Sequence, residues 1–249
     1  MAEIALMFSG GIDSTMAACL LAERYERVHL LTYHNGHGTA HMGKTRRRVD
    51  ELRARFGNER FEHMLTSTKS LMETVVVDDL VETYADYRSG FIWCMGCKLA
   101  MHTRSAIYCL ENGITEMSDG SSGSTQEMVE QMLVSLSLIR TFYEHYGISF
   151  ATPVYDIPRE EEQADLRSRG FRMGLQVLGR NVGIQPSCYA GLLYYAPYML
   201  FHKAPKHDEA AVARFIEDRS QRAHALVEGW FAQRGKPVPG RTPSGDGVE

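Results

Sequence analysis

The chain has 249 residues, of which 44% are hydrophobic and 23% charged, and its formal net charge is −4. That length suits one large α/β domain, or one domain with an appendage. No apolar run reaches the roughly 20 residues of a membrane span, so no membrane partner is expected. The mild acidity excludes a global basic field for nucleic acid. The five cysteines are irregularly spaced, unlike a secreted disulfide framework. With a strand at Glu3 and no secretory signal ahead of it, a cytoplasmic location is expected.

In chain order, strand-like runs fall at Glu3–Phe8, Arg27–Tyr33, Phe61–Leu65, Thr115–Asp119 and Ser149–Val154. Helical periodicity covers Ser14–Arg24, Met42–Phe56, Lys69–Tyr84, Lys98–Asn112 and Thr125–Tyr146. Strands alternating with helices predict right-handed crossovers and a doubly wound, parallel five-stranded α/β sheet. Ligands of such sheets sit at the carboxyl ends of the strands. Past Pro153 the pattern changes. Ile157 to Glu161 reads as a helix entry with proline in the first turn, and 170–198 as irregular or partly helical. His207–Gln233 reads as a long amphipathic helix. That helix is expected to pack on its own domain, a homodimer contact being the alternative. The resulting division is an α/β domain over 1–154, a mostly helical extension over 155–234 carrying Cys188, and a Pro/Gly/Ser-rich disordered tail over 235–249.

The first strand runs into Ser9-Gly10-Gly11-Ile12-Asp13-Ser14-Thr15. Glycines allow close backbone approach to a ligand, and a helix N-terminus offers unpaired N–H groups to phosphate. The hydroxyls of Ser9, Ser14 and Thr15 add donors. The order differs from the Gly-x-x-x-x-Gly-Lys-Ser/Thr loop, and no lysine lies in it. This strand, loop and helix resemble the PP-loop of the ATP pyrophosphatase superfamily, whose members cleave ATP between its α and β phosphates. The resemblance implies ATP bound by Ser9, Gly10, Gly11, Asp13, Ser14 and Thr15, with Mg²⁺ near Asp13. Asp119-Gly120-Ser121 resembles the family's second nucleotide motif, and Tyr33-His34 stands where the family holds adenosine. The plain alternative for Asp119 and Gly120 is a turn with capping serines.

Trp93-Cys94-Met95-Gly96-Cys97-Lys98 holds a C-x-x-C pair ahead of a helix, and Cys188 follows much later. Cys109 would lie 12 residues beyond Cys97 on that helix, roughly 18 Å along its axis, and Cys19 reads as a buried small hydrophobe. Three thiols are short of the closed four-ligand set of structural zinc. The pair could also be a redox dithiol, or a zinc site completed by His102 or His202. PP-loop, C-x-x-C and a lone cysteine about ninety residues later together resemble the iron–sulfur-dependent sulfur transferases of the superfamily. Those enzymes thiolate tRNA or small molecules. The resemblance implies a [4Fe–4S] cluster on Cys94, Cys97 and Cys188 and a sulfide or persulfide donor. Lys98 and Arg104, on the helix after the C-x-x-C pair, could neutralise phosphate charge or be solvated helix charges. Pro186 to Tyr189 resembles 7-cyano-7-deazaguanine synthases, but their C-terminal four-cysteine zinc cluster is missing after Cys188. Two rivals follow: an amide- or nitrile-forming ligase with zinc or no metal, and a non-catalytic nucleotide sensor. The basic run Lys44 to Arg48 could grip tRNA or be a solvated helix face.

Overall fold

The computed structural model describes residues 2–177, 180–182, 186–201 and 206–239. Its centre is a five-stranded, all-parallel sheet of order β4-β2-β1-β5-β6. The strands are β1 (Glu3–Met7), β2 (Arg27–His34), β4 (Phe61–Ser67), β5 (Glu116–Ser118) and β6 (Ser149–Ala151). A short β3 (Thr39–Ala40) pairs antiparallel with β9 (Ser187–Cys188), and β7 (Leu175–Val177) with β8 (Arg180–Val182). The expected sheet is therefore present. Its strand order reverses between β1 and β5, which opens a crevice at their carboxyl ends.

β1 reads as a continuous apolar run because helices cover both faces of a parallel sheet, and Ile4, Ala5 and Leu6 are fully buried. On one face α1 (Ile12–Ala22), α2 (Lys44–Phe56) and α7 (Arg159–Ser168) surround a core of Leu6, Phe8, Ala17, Leu30 and Leu52. The other face carries the larger core, built on α5 (Phe91–Asn112), α6 (Leu133–Glu144) and α10 (Glu209–Ala232). From α10, Val212, Phe215, Ala223 and Val227 enter this core, so the terminal helix packs on its own chain. Residues 240–249 of the expected disordered tail, and His202, lie outside the described residues.

Three helices differ from the periodicity. The one predicted over 98–112 begins at Phe91 and takes in both cysteines of the C-x-x-C pair. It ends at Gly113, whose left-handed φ of 66° lets the Ile114 amide reach the Cys109 carbonyl. The helix predicted over 69–84 is broken into α3 (Lys69–Met72), a π turn over Glu73–Val77 and α4 (Leu80–Tyr87). Three consecutive β-branched valines crowd a regular helix, and the wider turn buries both Val75 and Val76. Of the helix predicted over 125–146, only Leu133–Glu144 is α-helical. Side chains capture the backbone before it: Lys98 binds the Glu130 carbonyl, Gln131 accepts from the Ser122 amide, and Ser122 from the Ser124 amide. Such bonds compete with a helical ladder.

Gly96, between the two cysteines, is where α5 meets the π turn. A Cβ there would stand 2.2 Å from Val76 Cγ2 and 3.5 Å from Phe215 Cζ. Gly96→Ala gains about 1 kcal/mol of helix propensity, but overpacking costs about 1–3 kcal/mol against a valine that cannot swing aside. We expect net destabilisation in urea unfolding, with Gly96→Ala/Val76→Ala recovering part of it.

Candidate active site

The crevice between β1 and β5 is a cavity of about 420 Å³. Ser9, Asp13 and Ser14 of the PP-loop line it, together with Tyr33, Lys98, Asp119 and Gly120, and with Cys94, Cys97 and Cys188. Ten residues singled out from sequence thus share one space. Gly10, Gly11, Thr15 and His34 do not line it. Gly10 holds a left-handed φ of 75° and packs on Arg48 and Thr45, which shapes the turn. Gly11 is the N-cap of α1, so the helix opens two residues earlier than Ser14. The Thr15 hydroxyl is buried and donates to the Gly11 carbonyl at 2.6 Å, bracing the loop. The Gly11 amide in turn donates to Ser9 Oγ at 3.2 Å, and Ser9 Oγ lies 3.1 Å from Ser14 Oγ. His34 ends β2 half-buried, its carbonyl accepting from the Thr68 amide.

The PP-loop is pressed against the second nucleotide motif. A Cβ on Gly120 would lie 2.7 Å from the Ser14 amide nitrogen and 2.8 Å from its Cα. Only glycine permits that approach of two backbones. Next to it a buried ion pair floors the cavity. Lys98 Nζ stands 3.0 Å from Asp119 Oδ2 and donates to Ser121 Oγ at 2.9 Å and to the Glu130 carbonyl at 2.7 Å. Asp119 also accepts from the Ser121 amide and hydroxyl, each at 2.9 Å. Burial, the largest single influence, would raise the Asp119 carboxyl; Lys98, His102 and the Ser121 amide together outweigh it and hold the group below its ordinary value. His102, behind this pair, is fully buried, with Nδ1 2.9 Å from the Tyr143 hydroxyl. Burial, with Lys98 adding, lowers its pKa to about 3.

Cys94 and Cys97 are one turn apart on α5, hence on one face. Burial pushes the Cys97 thiol up to about 12 and Cys94 higher still. Cys97 Sγ accepts from Asn35 Nδ2 at 3.3 Å, and Cys188 Sγ from the Gly191 amide at 3.5 Å. The β3–β9 ladder and the bond from the Tyr189 amide to the Gly38 carbonyl carry Cys188 over the loop that follows β2. Among the described residues, no three His, Cys, Asp or Glu side chains converge closely enough to hold a single metal ion.

Several residues of this region escaped the sequence. Glu162 of α7 is fully buried behind the PP-loop and neither carboxyl oxygen has a hydrogen-bond partner. Burial raises its pKa and the neighbouring Asp13 adds to the shift. Arg159 lies 2.7 Å from Asp13 Oδ1 and 3.7 Å from Glu162. The acidic run beside Pro158 was the only signal, and it reads equally as a solvated first turn. Glu130 and Tyr195, joined at 2.6 Å, and Trp93 also line the cavity. Arg104, expected beside the phosphates, instead lies over the Trp230 ring and 3.4 Å from Glu111. The basic run is divided as well. Arg48 is buried on Glu51, the Gly10 carbonyl and the Arg172 carbonyl, whereas Arg46 and Arg47 are exposed.

A parallel sheet with a PP-loop at its switch point, abutting an Asp-Gly motif from the adjacent strand, is the architecture of the PP-loop superfamily. The family model for ThiI, the thiamine biosynthesis protein, matches residues 2–140, more than half of the chain, and the protein belongs to that family. No curated protein matches it. Three solved structures are similar in fold. One is a 4-thiouridine synthetase in complex with RNA and bound ATP, at 16% identity and TM-score 0.52, over 93% of this chain and 53% of that one. The second is a predicted tRNA methyltransferase subunit from Methanocaldococcus jannaschii, at 13% identity and TM-score 0.46, over 96% and 90% of the two chains. The third is the U34-tRNA thiolase NcsA from Methanococcus maripaludis with its [4Fe–4S] cluster, at 14% identity and TM-score 0.48, over 88% and 72%. Among the described residues, no helix is long and apolar enough to cross a membrane.

Removing one partner of a buried ion pair strands the other charge, at a cost of about 3–5 kcal/mol. Lys98→Met is expected to lose that much stability in denaturant unfolding. Lys98→Met/Asp119→Asn, which removes both charges, is expected to recover most of it.

Proposed function

We propose that the protein is an ATP-dependent sulfur transferase that forms AMP and pyrophosphate. The observation that carries this reading is that Cys94, Cys97 and Cys188 open into the same cavity as Ser9, Asp13 and Ser14. In the first stage a carbonyl or carboxylate oxygen of the acceptor attacks the α-phosphorus of ATP. The bond to the β-phosphate oxygen breaks, pyrophosphate leaves and the acceptor carries AMP. The N-terminus of α1 and the Ser9 and Ser14 hydroxyls hold the phosphates, while Lys98 supplies fixed positive charge at the floor. The second stage is attack on the activated carbon by sulfide, or by the outer sulfur of a persulfide, with AMP as the leaving group; on the persulfide route a second thiol then cleaves the S–S bond, and an external thiol reductant returns the resulting disulfide to thiols. Adenylation makes this step feasible by turning a poor leaving oxygen into a good one.

The donor chemistry fits two inorganic partners. Asp13 lines the cavity beside the phosphate loop, and although its Oδ1 is paired with Arg159 at 2.7 Å, its carboxylate is the hard oxygen donor there suited to Mg²⁺ on the phosphates. Three soft thiols around one cavity suit iron. Three thiols fall one short of the closed four-ligand set of structural zinc, and a cluster on Cys94, Cys97 and Cys188 would leave that shortfall as an open iron. When bound, such a cluster leaves one iron without a protein ligand, open to a small sulfur species. The fold relative that carries ATP and RNA supports ATP as co-substrate and admits a tRNA base as acceptor, with a small molecule as the other class.

Anaerobically prepared protein is expected to be brown, to absorb near about 400 nm and to contain about four irons. Cys94→Ser, Cys97→Ser and Cys188→Ser should each lose the colour and sulfur incorporation while still binding ATP, whereas Asp13→Asn should lose pyrophosphate release. A colourless protein holding one zinc, with turnover indifferent to all three substitutions, would refute the sulfur step. For the acceptor, salt-sensitive tRNA binding that disappears on neutralising Lys44, Arg46 and Arg47 is the outcome expected of an RNA enzyme.

A further inference from the structure

A second cavity, of about 430 Å³, lies against the first. Leu80, Val81 and Tyr84 of α4 form one wall, Tyr194 of α8 (Tyr189–Tyr194) another, and Trp93 and Cys94 of α5 the third. Trp93 and Cys94 also line the nucleotide cavity, so they are the partition between the two spaces. The chemistry of the two sides is opposite. Asp13, Lys98, Asp119 and Glu130 stand in the first, while among the described residues no Asp, Glu, Lys or Arg lines the second. Val81 is 78% exposed and Tyr84 52%, which leaves large apolar side chains in water at the mouth. The partition also holds the Trp93 indole N–H, which is buried and has no hydrogen-bond partner.

We propose that this second cavity binds the apolar arm of a small-molecule acceptor, an alkyl or aryl carbonyl or carboxylic compound, and presents its reacting carbon at Cys94. The inference rests on the sulfur-transfer reading of the cysteine cavity and names its acceptor class. The volume lies within the range of about 300–1,000 Å³ typical of small-ligand sites. Filling it removes apolar surface from water on both partners. The polar side-chain groups of the described lining are the Tyr84 and Tyr194 hydroxyls, the Trp93 N–H and the Cys94 thiol, so a ligand rich in polar groups would strand most of them. A flipped nucleobase could stack on these rings, but among the described residues few groups face its hydrogen-bonding edge and no cation stands here for a phosphate. The arrangement also explains why the cysteines sit where two unlike spaces meet: the activating nucleotide approaches from the polar side and the acceptor from the apolar side.

The chain has two tryptophans, Trp93 and Trp230, and Trp230 packs far from both cavities among Glu111, Arg104 and Arg234. Trp230→Phe therefore makes Trp93 the sole intrinsic fluorophore. With 1-anilinonaphthalene-8-sulfonate as probe, we expect saturable one-site binding with energy transfer from Trp93, displaced by octanoate and not by acetate. Adding Val81→Asp should weaken probe binding about tenfold or more without moving the thermal midpoint, since Val81 is exposed. Multi-site or unsaturable binding, or affinity unchanged by Val81→Asp, overturns the proposal. Displacement by tRNA but not by octanoate also overturns it. So does light scattering that finds a dimer dissociated by Val81→Asp, which would assign this face to a second copy. ATP binding measured on the same protein separates the two readings. Loss of the probe site with ATP binding intact sinks only the acceptor class, while an intact probe site on a protein that neither binds nor cleaves ATP sinks the sulfur-transfer reading.

Discussion

The site is organised by one buried ammonium. Lys98 follows directly on Cys97 along α5, and its Nζ binds Asp119, Ser121 and the Glu130 carbonyl. A charge with so little access to water is tolerated only when paired and fully hydrogen-bonded. Meeting that demand fixes the rotation of α5, and with it the direction in which Cys94 and Cys97 point. It also holds the segment after β5 in an irregular path, so that Glu130 and Gln131 reach the cavity instead of continuing a helix. The cysteines and the nucleotide motifs are thereby set relative to each other by one side chain.

Two glycines then let the backbones close around that anchor. Gly120 brings the end of β5 against the first turn of α1, and Gly96 brings α5 against the π turn. Both are tight because of their neighbours: the first contact is backbone on backbone, the second is against a stiff valine. The site is thus assembled from contiguous packing in which Gly120 couples the phosphate loop to the Lys98 pair, and Gly96 couples the cysteine turn to the larger core.

What the sequence made legible is what depends on local patterns. The strands of the sheet follow from apolar runs of the right length, the PP-loop from its order of strand, glycines and helix, and the thiols from spacing. Errors arose where a tertiary partner overruled local preference. The start of α5 was hidden because Gly96 breaks the helical pattern, yet its absent side chain is what the packing needs. The π turn came from three adjacent valines whose burial required an extra residue in the turn. Arg104 looked like a phosphate ligand by proximity to the cysteines, but a helix turns about 100° per residue, and that rotation aims it at Trp230. Glu162 and the apolar cavity were beyond reach altogether, since each depends on elements far apart in the chain meeting in space.

The charge inside the nucleotide cavity constrains what can enter it. Asp13, Asp119 and Glu130 stand against one lysine, and that lysine is already committed to Asp119. Arg159 likewise faces Asp13 and Glu162. A bare triphosphate would meet more negative charge than positive, at separations of a few ångströms where repulsion is screened little by salt. Helix-terminus N–H groups offset only about half an elementary charge. A polyphosphate bound here as proposed would therefore need to bring its own cation. The same reasoning gives direction to the reaction. In the proposed reaction, the adenylate left after pyrophosphate departs would carry less charge than the triphosphate and would sit more easily among these carboxyl groups, in the space that the three thiols also line.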